Sequence, residues 1–496
     1  VGQGIEQETF PAQDRRRFAE RCREGLTALG SLLERPGFGA GAPSIGVELE
    51  IGLIDEAAQP APVNEAVRAA AADPALDLEL DRFNLELNST SVPLAGRPFR
   101  ALFEDVAAGL DRLTGAAAPL GARPVAVGIL PTLRREHLGP AAMSDSARFR
   151  ALGEGLLGLR GGPFAIRIDG PEPLETAWED LTLEGAATGL HVHLRVPPSA
   201  FAATFNAAQT AIAPILAASV NSPILLEHLL WQETRVALFA QAVDDRAPVS
   251  EEWLPSRAAF GHGWIAGPLE PFAESVALHV PLLPVVSGDD PMAAVAAGGV
   301  PGLDELRLHH GTVWRWNRAV VDPGDAADPH LRIEMRALPA GPSMTDMRAN
   351  VAYLVGLTMA LAPQMEWMCR SMPFEFARRN FTAAARDGLD AVLLWPSAEA
   401  PSPRPWPAVE LVTRLAPAAR AGLTGCGVSA AEADELLGVV IERVGRGATG
   451  AGWQRGAVAA FEAAGATRRR ALAEMTEAYL ERCAGGAPVH EWEPVG

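Results

Sequence analysis

Gly46-Val-Glu-Leu-Glu-Ile51 alternates carboxylates with aliphatic residues at a spacing of two. Three later stretches repeat the alternation: Phe83-Asn-Leu-Glu-Leu-Asn88, Gly189-Leu-His-Val-His-Leu-Arg195 and His330-Leu-Arg-Ile-Glu-Met-Arg336. A β-strand sends successive side chains to opposite faces. One face would therefore gather Glu48 with Glu50, Asn84 with Glu86 and Asn88, His191 with His193 and Arg195, and Arg332 with Glu334 and Arg336. Val47, Leu49, Ile51, Leu85, Leu87, Val192, Leu194, Leu331, Ile333 and Met335 would point the other way, into a core. If the four strands share a sheet, its open face collects carboxylates, imidazoles and guanidiniums, a surface suited to divalent metal and phosphate.

Working outward, strand signals recur at about 44–54, 76–91, 123–130, 164–169, 188–196 and 330–338. Helical patterns fill 14–33, 99–119, 145–160 and 199–220. Strands scattered among helices, alternating rather than unbroken in hydrophobicity, predict an α+β fold with one sheet face open to a cleft, not a doubly wound parallel sheet. No G-x-G-x-x-G turn follows a strand, so a dinucleotide fingerprint is missing. From 343 the pattern is helical, interrupted by a Pro-rich break at Pro396, Pro401-Ser-Pro-Arg-Pro405 and Pro407. Further helices are predicted at 406–423, 429–446 and 453–483, and Ser429 with Glu432 makes a capping box for the middle one. This tail carries no catalytic-looking cluster and is assigned to packing, homo-oligomer contacts or a cover over the sheet. Gly288–Gly302, rich in Gly, Pro and Ala, reads as a mobile loop near the cleft.

With 496 residues the chain can bury a large core. Its net charge of −19 argues against a nucleic-acid binder, which needs basic residues to neutralise phosphates. The most apolar stretch, Thr210–Leu226, is broken by Pro214, Asn221 and Pro223, and no membrane segment is predicted. Val1–Phe10 lacks the basic and apolar regions of a secretory signal, so the expected location is the cytoplasm. Cys22, Cys369, Cys426 and Cys483 form no C-x-x-C unit and read as structural thiols. There is no lysine at all. That excludes a Walker A loop, a protein-kinase strand lysine and Schiff-base chemistry. Any phosphate must be held by Arg, backbone N–H groups or metal.

Carboxylates at Glu48, Glu50 and Glu86 suit hard cations, although each alone is equally an ordinary solvated strand residue. His191-x-His193 also invites a zinc-hydrolase reading, which lacks the further histidines it needs. Arg332-Ile-Glu334-Met-Arg336 sets one carboxylate between two guanidiniums, the alternative being a surface ion-pair ladder. Trp314-Arg-Trp-Asn-Arg318 offers a further Arg and an aromatic wall, or simple packing.

Taken in order, Gly46-Val-Glu-Leu-Glu50, Gly189-Leu-His-Val-His193 and Arg332-Ile-Glu-Met-Arg336 resemble glutamate–cysteine ligase family 2, the carboxylate–amine ligase type, over about residues 44–362. The resemblance implies a glutamine-synthetase-like catalytic domain at 44–380, built on a curved antiparallel sheet. An N-terminal helical extension (1–43) and a helical C-terminal region (381–496) flank it. It implies ATP and Mg²⁺ or Mn²⁺ as cofactors, with Glu48, Glu50, Glu86, His191 and Glu334 as metal ligands. Arg332 and Arg336 are implied as catalytic phosphate or substrate contacts, with Arg318 and His193 beside them on the nucleotide. The implied reaction phosphorylates the γ-carboxylate of L-glutamate and lets an amine, cysteine first, attack the acyl phosphate. The alternatives are a small-molecule kinase and an inactive amino-acid- or nucleotide-binding relative.

Overall fold

The computed structural model describes residues 4–247, 255–324, 328–397 and 400–495; the first three residues of the polar start lie outside it. All four alternating stretches fall on one antiparallel, half-barrel-like sheet of eight strands. The strands are β1 (Ser44–Ile54), β2 (Leu76–Leu78), β3 (Asn84–Asn88), β4 (Val92–Pro93), β5 (Arg123–Val125), β6 (Gly189–Arg195), β7 (Asn317–Asp322) and β8 (His330–Pro339). Their order is β7-β8-β6-β1-β3-β2, with β4 and β5 paired to the two ends of β1.

Register fixes the faces. Glu50 pairs with Glu86, Glu48 with His191, His193 with Glu334, and Glu334 with Arg318. Cross-strand partners point to the same side, so the polar residues share one face by register alone. The ten aliphatic residues between them are at most 2% exposed. They pack on the helices Pro98–Ala117, Pro198–Ser219 and Met344–Leu361. Pro198–Ser219 is long and apolar enough to cross a membrane by length and composition, but 83% of that window is buried in the protein. It is apolar all round because it is a core helix. Behind it, Met344–Leu361 meets Ala408–Gly425 backbone to backbone: a Cβ at Gly422 would lie 2.0 Å from the Gly356 carbonyl oxygen. One hydrophobic cluster runs from Phe18 to Trp492.

Four expectations need correction. Gly288–Gly302 is not a mobile loop at the cleft: it contains the helix Pro291–Ala296, capped by Asp290. The Arg35 guanidinium ties the carbonyls of Val295, Gly298 and Gly299 to the N-terminal helix at 2.7–3.1 Å. The Pro-rich break is a β-hairpin, Val392–Ser397 with Ala400–Pro407. Its Pro403, Pro405 and Pro407 recur every second residue, which turns each missing N–H away from the partner strand. The long helix expected at 453–483 is two, Gly450–Ala463 and Arg468–Ala484, separated at Gly465, whose φ is +96°. The capping box at Ser429 is half formed. Ser429 Oγ accepts from Glu432 N, but the Glu432 carboxylate accepts from Arg100 N instead, capping the helix Pro98–Ala117. The four cysteines are free thiols, and burial pushes Cys22 up to about 12.

Candidate active site

The polar sheet face is the floor of a cavity of about 580 Å³, and all nine residues expected as metal, phosphate or substrate contacts line it. At its centre His191 stands between two sets of carboxylates. Its Nδ1 lies 3.3 Å from Glu48 and 3.9 Å from Glu334; its Nε2 lies 3.5 Å from Glu50. Glu48, His191 and Glu334 offer three ligand atoms within 4.8 Å of one another, and so do Glu50, Glu86 and His191. Carboxylate oxygens with one imidazole are a donor set for Mg²⁺ or Mn²⁺. The residues present therefore fit the expected cations. A neutral imidazole has a single lone pair, so His191 serves one set at a time.

Neighbouring side chains aim these ligands. Asn88 Nδ2 donates to Glu86 Oε1 at 3.1 Å, and Gly189 N donates to Glu50 Oε2 at 2.5 Å. Glu334, fully buried, receives Arg318 at 2.7 Å and Arg336 at 2.5 Å. The expected clamp of Arg332 and Arg336 about Glu334 is thus replaced by Arg318 from β7 and Arg336 from β8. A register shift between Met335 and Leu338 accompanies the reach of Arg336. Arg332 leans outward to Asp322 at 2.7 Å and donates from Nε to His193 Nδ1 at 3.1 Å. A guanidinium cannot accept, so His193 carries its proton on Nε2. That N–H lies 3.0 Å from Glu48 Oε1 but out of hydrogen-bond alignment. His193 therefore offers the cavity a donor, as a residue facing phosphate or carboxylate should.

The electrostatics divide the carboxylates. Burial opposes the charge of Glu48, but His193 and His191 overcome it and hold the carboxyl well below the usual range. Burial likewise opposes Glu334, and Arg318 and Arg336 overcome it. Glu86 has no such partner. Burial, with Glu48 and then Glu50 nearby, pushes it up to about 8. Groups whose environments push them apart in this way are a mark of functional sites.

Three motif residues do not line the cavity: Asn84, Asn88 and Arg195. Asn84 turns its amide to the Gly185 carbonyl, and Arg195 pairs with Asp328 at 2.6 Å. Charged residues that do reach it were missed, among them Asp77, Glu79, Arg148 and Glu184. Burial raises Glu184 to about 7 and Glu79 well above its ordinary value, and burial with Arg318 lowers Arg148 to about 10. Asp77 lies on β2 and Glu79 directly after it, Glu184 on the short helix Thr182–Gly185, and Arg148 on the helix Ala147–Arg160. Asp77 and Glu79 had a signal, the alternation Leu76-Asp-Leu-Glu-Leu80, and Asp77 pairs with Glu86. The aromatic pair divides: Trp314 lines the cavity, whereas Trp316 packs against Phe239 and Phe381.

A family model, glutamate-cysteine ligase family 2 (GCS2), matches residues 44–478. The chain belongs to this family. Membership makes it a ligase of the carboxylate–amine type. Among solved structures it is similar to a glutamate–cysteine ligase from Francisella tularensis, crystallised with AMP, at 10% identity and a TM-score of 0.54. That match covers 92% of this chain and 91% of that one. It also matches a bifunctional glutathione synthetase from Pasteurella multocida at 12% identity and a TM-score of 0.44, covering 93% and 55%. A third is the ligase PafA in complex with the prokaryotic ubiquitin-like protein Pup, at 11% identity and a TM-score of 0.40, covering 88% and 72%. At such identities the Francisella likeness shows the fold alone. No curated protein sequence matches the chain. What this chain shares with the Francisella ligase is the α+β fold with its half-barrel sheet.

Proposed function

We propose that this family member is an ATP-dependent ligase that forms a γ-glutamyl amide, with L-glutamate as the acid and an amine, cysteine first among them, as the acceptor. The observation that carries it is the pair of three-ligand sets sharing His191, directly beside Arg318 and Arg336 in one cavity. Glu48, Glu50, Glu86, His191 and Glu334 would hold Mg²⁺ or Mn²⁺. Bound there, such ions would neutralise charge between nucleotide phosphates and the acid carboxylate. In the first step the carboxylate attacks the γ-phosphorus and ADP leaves; in the second the amine attacks the acyl carbon and phosphate leaves. Arg318 and Arg336 face the charge that builds on the transferred group, and His193 donates from Nε2 toward it. Arg332 is a positioning residue, because it acts on the reaction through the His193 tautomer. Glu334 holds both guanidiniums in place before substrate arrives, so the site is preorganised rather than assembled on binding.

The test is Mg²⁺-dependent ADP release with L-glutamate and a panel of amines including cysteine, with mass spectrometry of the products. A γ-glutamyl amide is the expected product and names the amine. ADP with a stable phosphorylated acid and no amide would make the protein a kinase, and no ADP with any pair would refute the ligase reading.

A further inference from the structure

Behind the cavity wall one carboxylate has no compensation. Asp81 is 0% exposed, and neither of its oxygens receives a hydrogen bond among the described residues. It is pressed against Gly185, where a Cβ would lie 2.7 Å from its Cγ and 2.8 and 3.0 Å from its two oxygens. The Asn84 amide meets the same glycine. Its Nδ2 donates to Gly185 O, while its Oδ1, also buried, accepts from no donor. Asn64 clamps the turn that carries both residues, donating to the Asp81 and Asn84 carbonyls at 3.1 and 3.0 Å, and its own Oδ1 is a fourth buried oxygen without a donor. The charges that act on Asp81 are Glu184, Asp180 and Glu79, all of its own sign.

A buried carboxylate with neither donor nor counter-charge costs far more than a folded domain can spare. A proton would silence the charge and turn one acceptor into a donor, but two of the four oxygens would still lack a partner. A water would bring donors and no charge. A small cation does both. Every available ligand is a hard oxygen, which disfavours soft transition metals. One formal charge among neutral amide oxygens suits a monovalent ion better than Mg²⁺, which holds its octahedral water shell. We propose that Asp81, with the Asn84 amide oxygen beside Gly185, binds a monovalent alkali cation, K⁺ or Na⁺. The ion fixes the turn that presents Glu184 to the cavity. This site is separate from the ligands on the sheet face, and it stands whether or not the ligase reading does.

The experiment is thermal unfolding of the full chain in choline chloride, with KCl or NaCl substituted at constant ionic strength. Binding of Tl⁺, a K⁺ surrogate, is measured alongside by equilibrium dialysis in nitrate salts. The expected results are a saturable upward shift of Tm with K⁺ or Na⁺, and one Tl⁺ per chain displaced by K⁺. Both should be lost in Asp81→Asn, an isosteric change that removes the charge and one acceptor oxygen. A Tm that is the same in choline, Na⁺ and K⁺ without bound Tl⁺ would overturn the proposal and leave Asp81 a neutral acid. So would an alkali-dependent shift that survives in Asp81→Asn. Should that variant not fold, Tl⁺ stoichiometry on the unaltered chain decides alone.

Discussion

Cation binding to the metal-free protein should expel a proton, and Glu86 sets the amount. Its carboxyl is pushed up to about 8 by burial and by Glu48 and Glu50. At pH 7 it is then about nine-tenths protonated, and a cation that takes it as a ligand must first displace that proton. Apparent affinity at pH 7 is weakened by about 11-fold, or ~1.4 kcal/mol, relative to the fully ionised site. At pH 6 the factor is about 100-fold, and above pH 9 it vanishes. Glu48 and Glu334 stay ionised across this window, since their neighbours hold them well below the usual carboxylate range. Isothermal titration of Mg²⁺ or Mn²⁺ from pH 6 to 9, in buffers of different ionisation enthalpy, reads both quantities. We expect affinity to climb about tenfold per pH unit, to level off near pH 8–9, and to release about 0.9 proton per ion at pH 7. Glu86→Gln should flatten the profile. Affinity independent of pH with no proton released would refute the reasoning, because Glu86 would then be ionised already or not a ligand.

Without metal, the same group makes stability fall as pH rises from about 4.5 toward 8, because the folded state binds the proton that the unfolded chain gives up; denaturant midpoints against pH, with and without Mg²⁺, check the sign. Glu334→Gln should abolish measurable turnover and also destabilise the protein by about 3–5 kcal/mol, since it strips a buried partner from Arg318 and Arg336. Urea unfolding separates the two effects, and Glu334→Gln with Arg336→Met should recover stability without recovering activity. Arg332→Met removes the donor that sets the His193 tautomer, so kcat should drop by about tenfold and its pH profile should shift, while Arg332→Lys restores part of both. Gly422→Ala, whose Cβ would lie 2.0 Å from the Gly356 oxygen, should lower stability by about 3 kcal/mol or more on thermal unfolding with the metal affinity of the surviving fold unchanged.

Much of the site was legible because strand alternation is a strict geometric code. Glu48 and Glu50 must share a face, and the same holds for His191 and His193, so the only unknown was whether the strands met. Register answered that through Glu48 opposite His191 and Glu334 opposite His193. β7 escaped notice because Trp314 and Trp316 drew the reading toward an aromatic wall. Yet Asn317, Ala319 and Val321 are buried while Arg318, Val320 and Asp322 are partly exposed, the same alternation in a less apolar form. The partner of each Arg was not legible at all. Arg332 and Arg318 both lie next to Glu334 on paper, and only the three-dimensional competition with Asp322 assigns them. Glu184 lay beyond reach because the single helical turn Thr182–Gly185 carries no period from which a direction can be inferred, whereas Glu79 was legible in the Leu76-Asp-Leu-Glu-Leu80 alternation and was passed over.

His191 reaches one carboxylate set from each edge of its ring, with a single lone pair to give. On the proposed metal reading the two cation positions would be rivals for one ligand, and filling one would leave the other short by a coordination bond that only an incoming oxygen can supply. A protein arranged in this way would hold its first ion on its own and its second only in company with substrate. Titrated alone it should saturate near one tight ion per chain, with the second appearing when nucleotide is added.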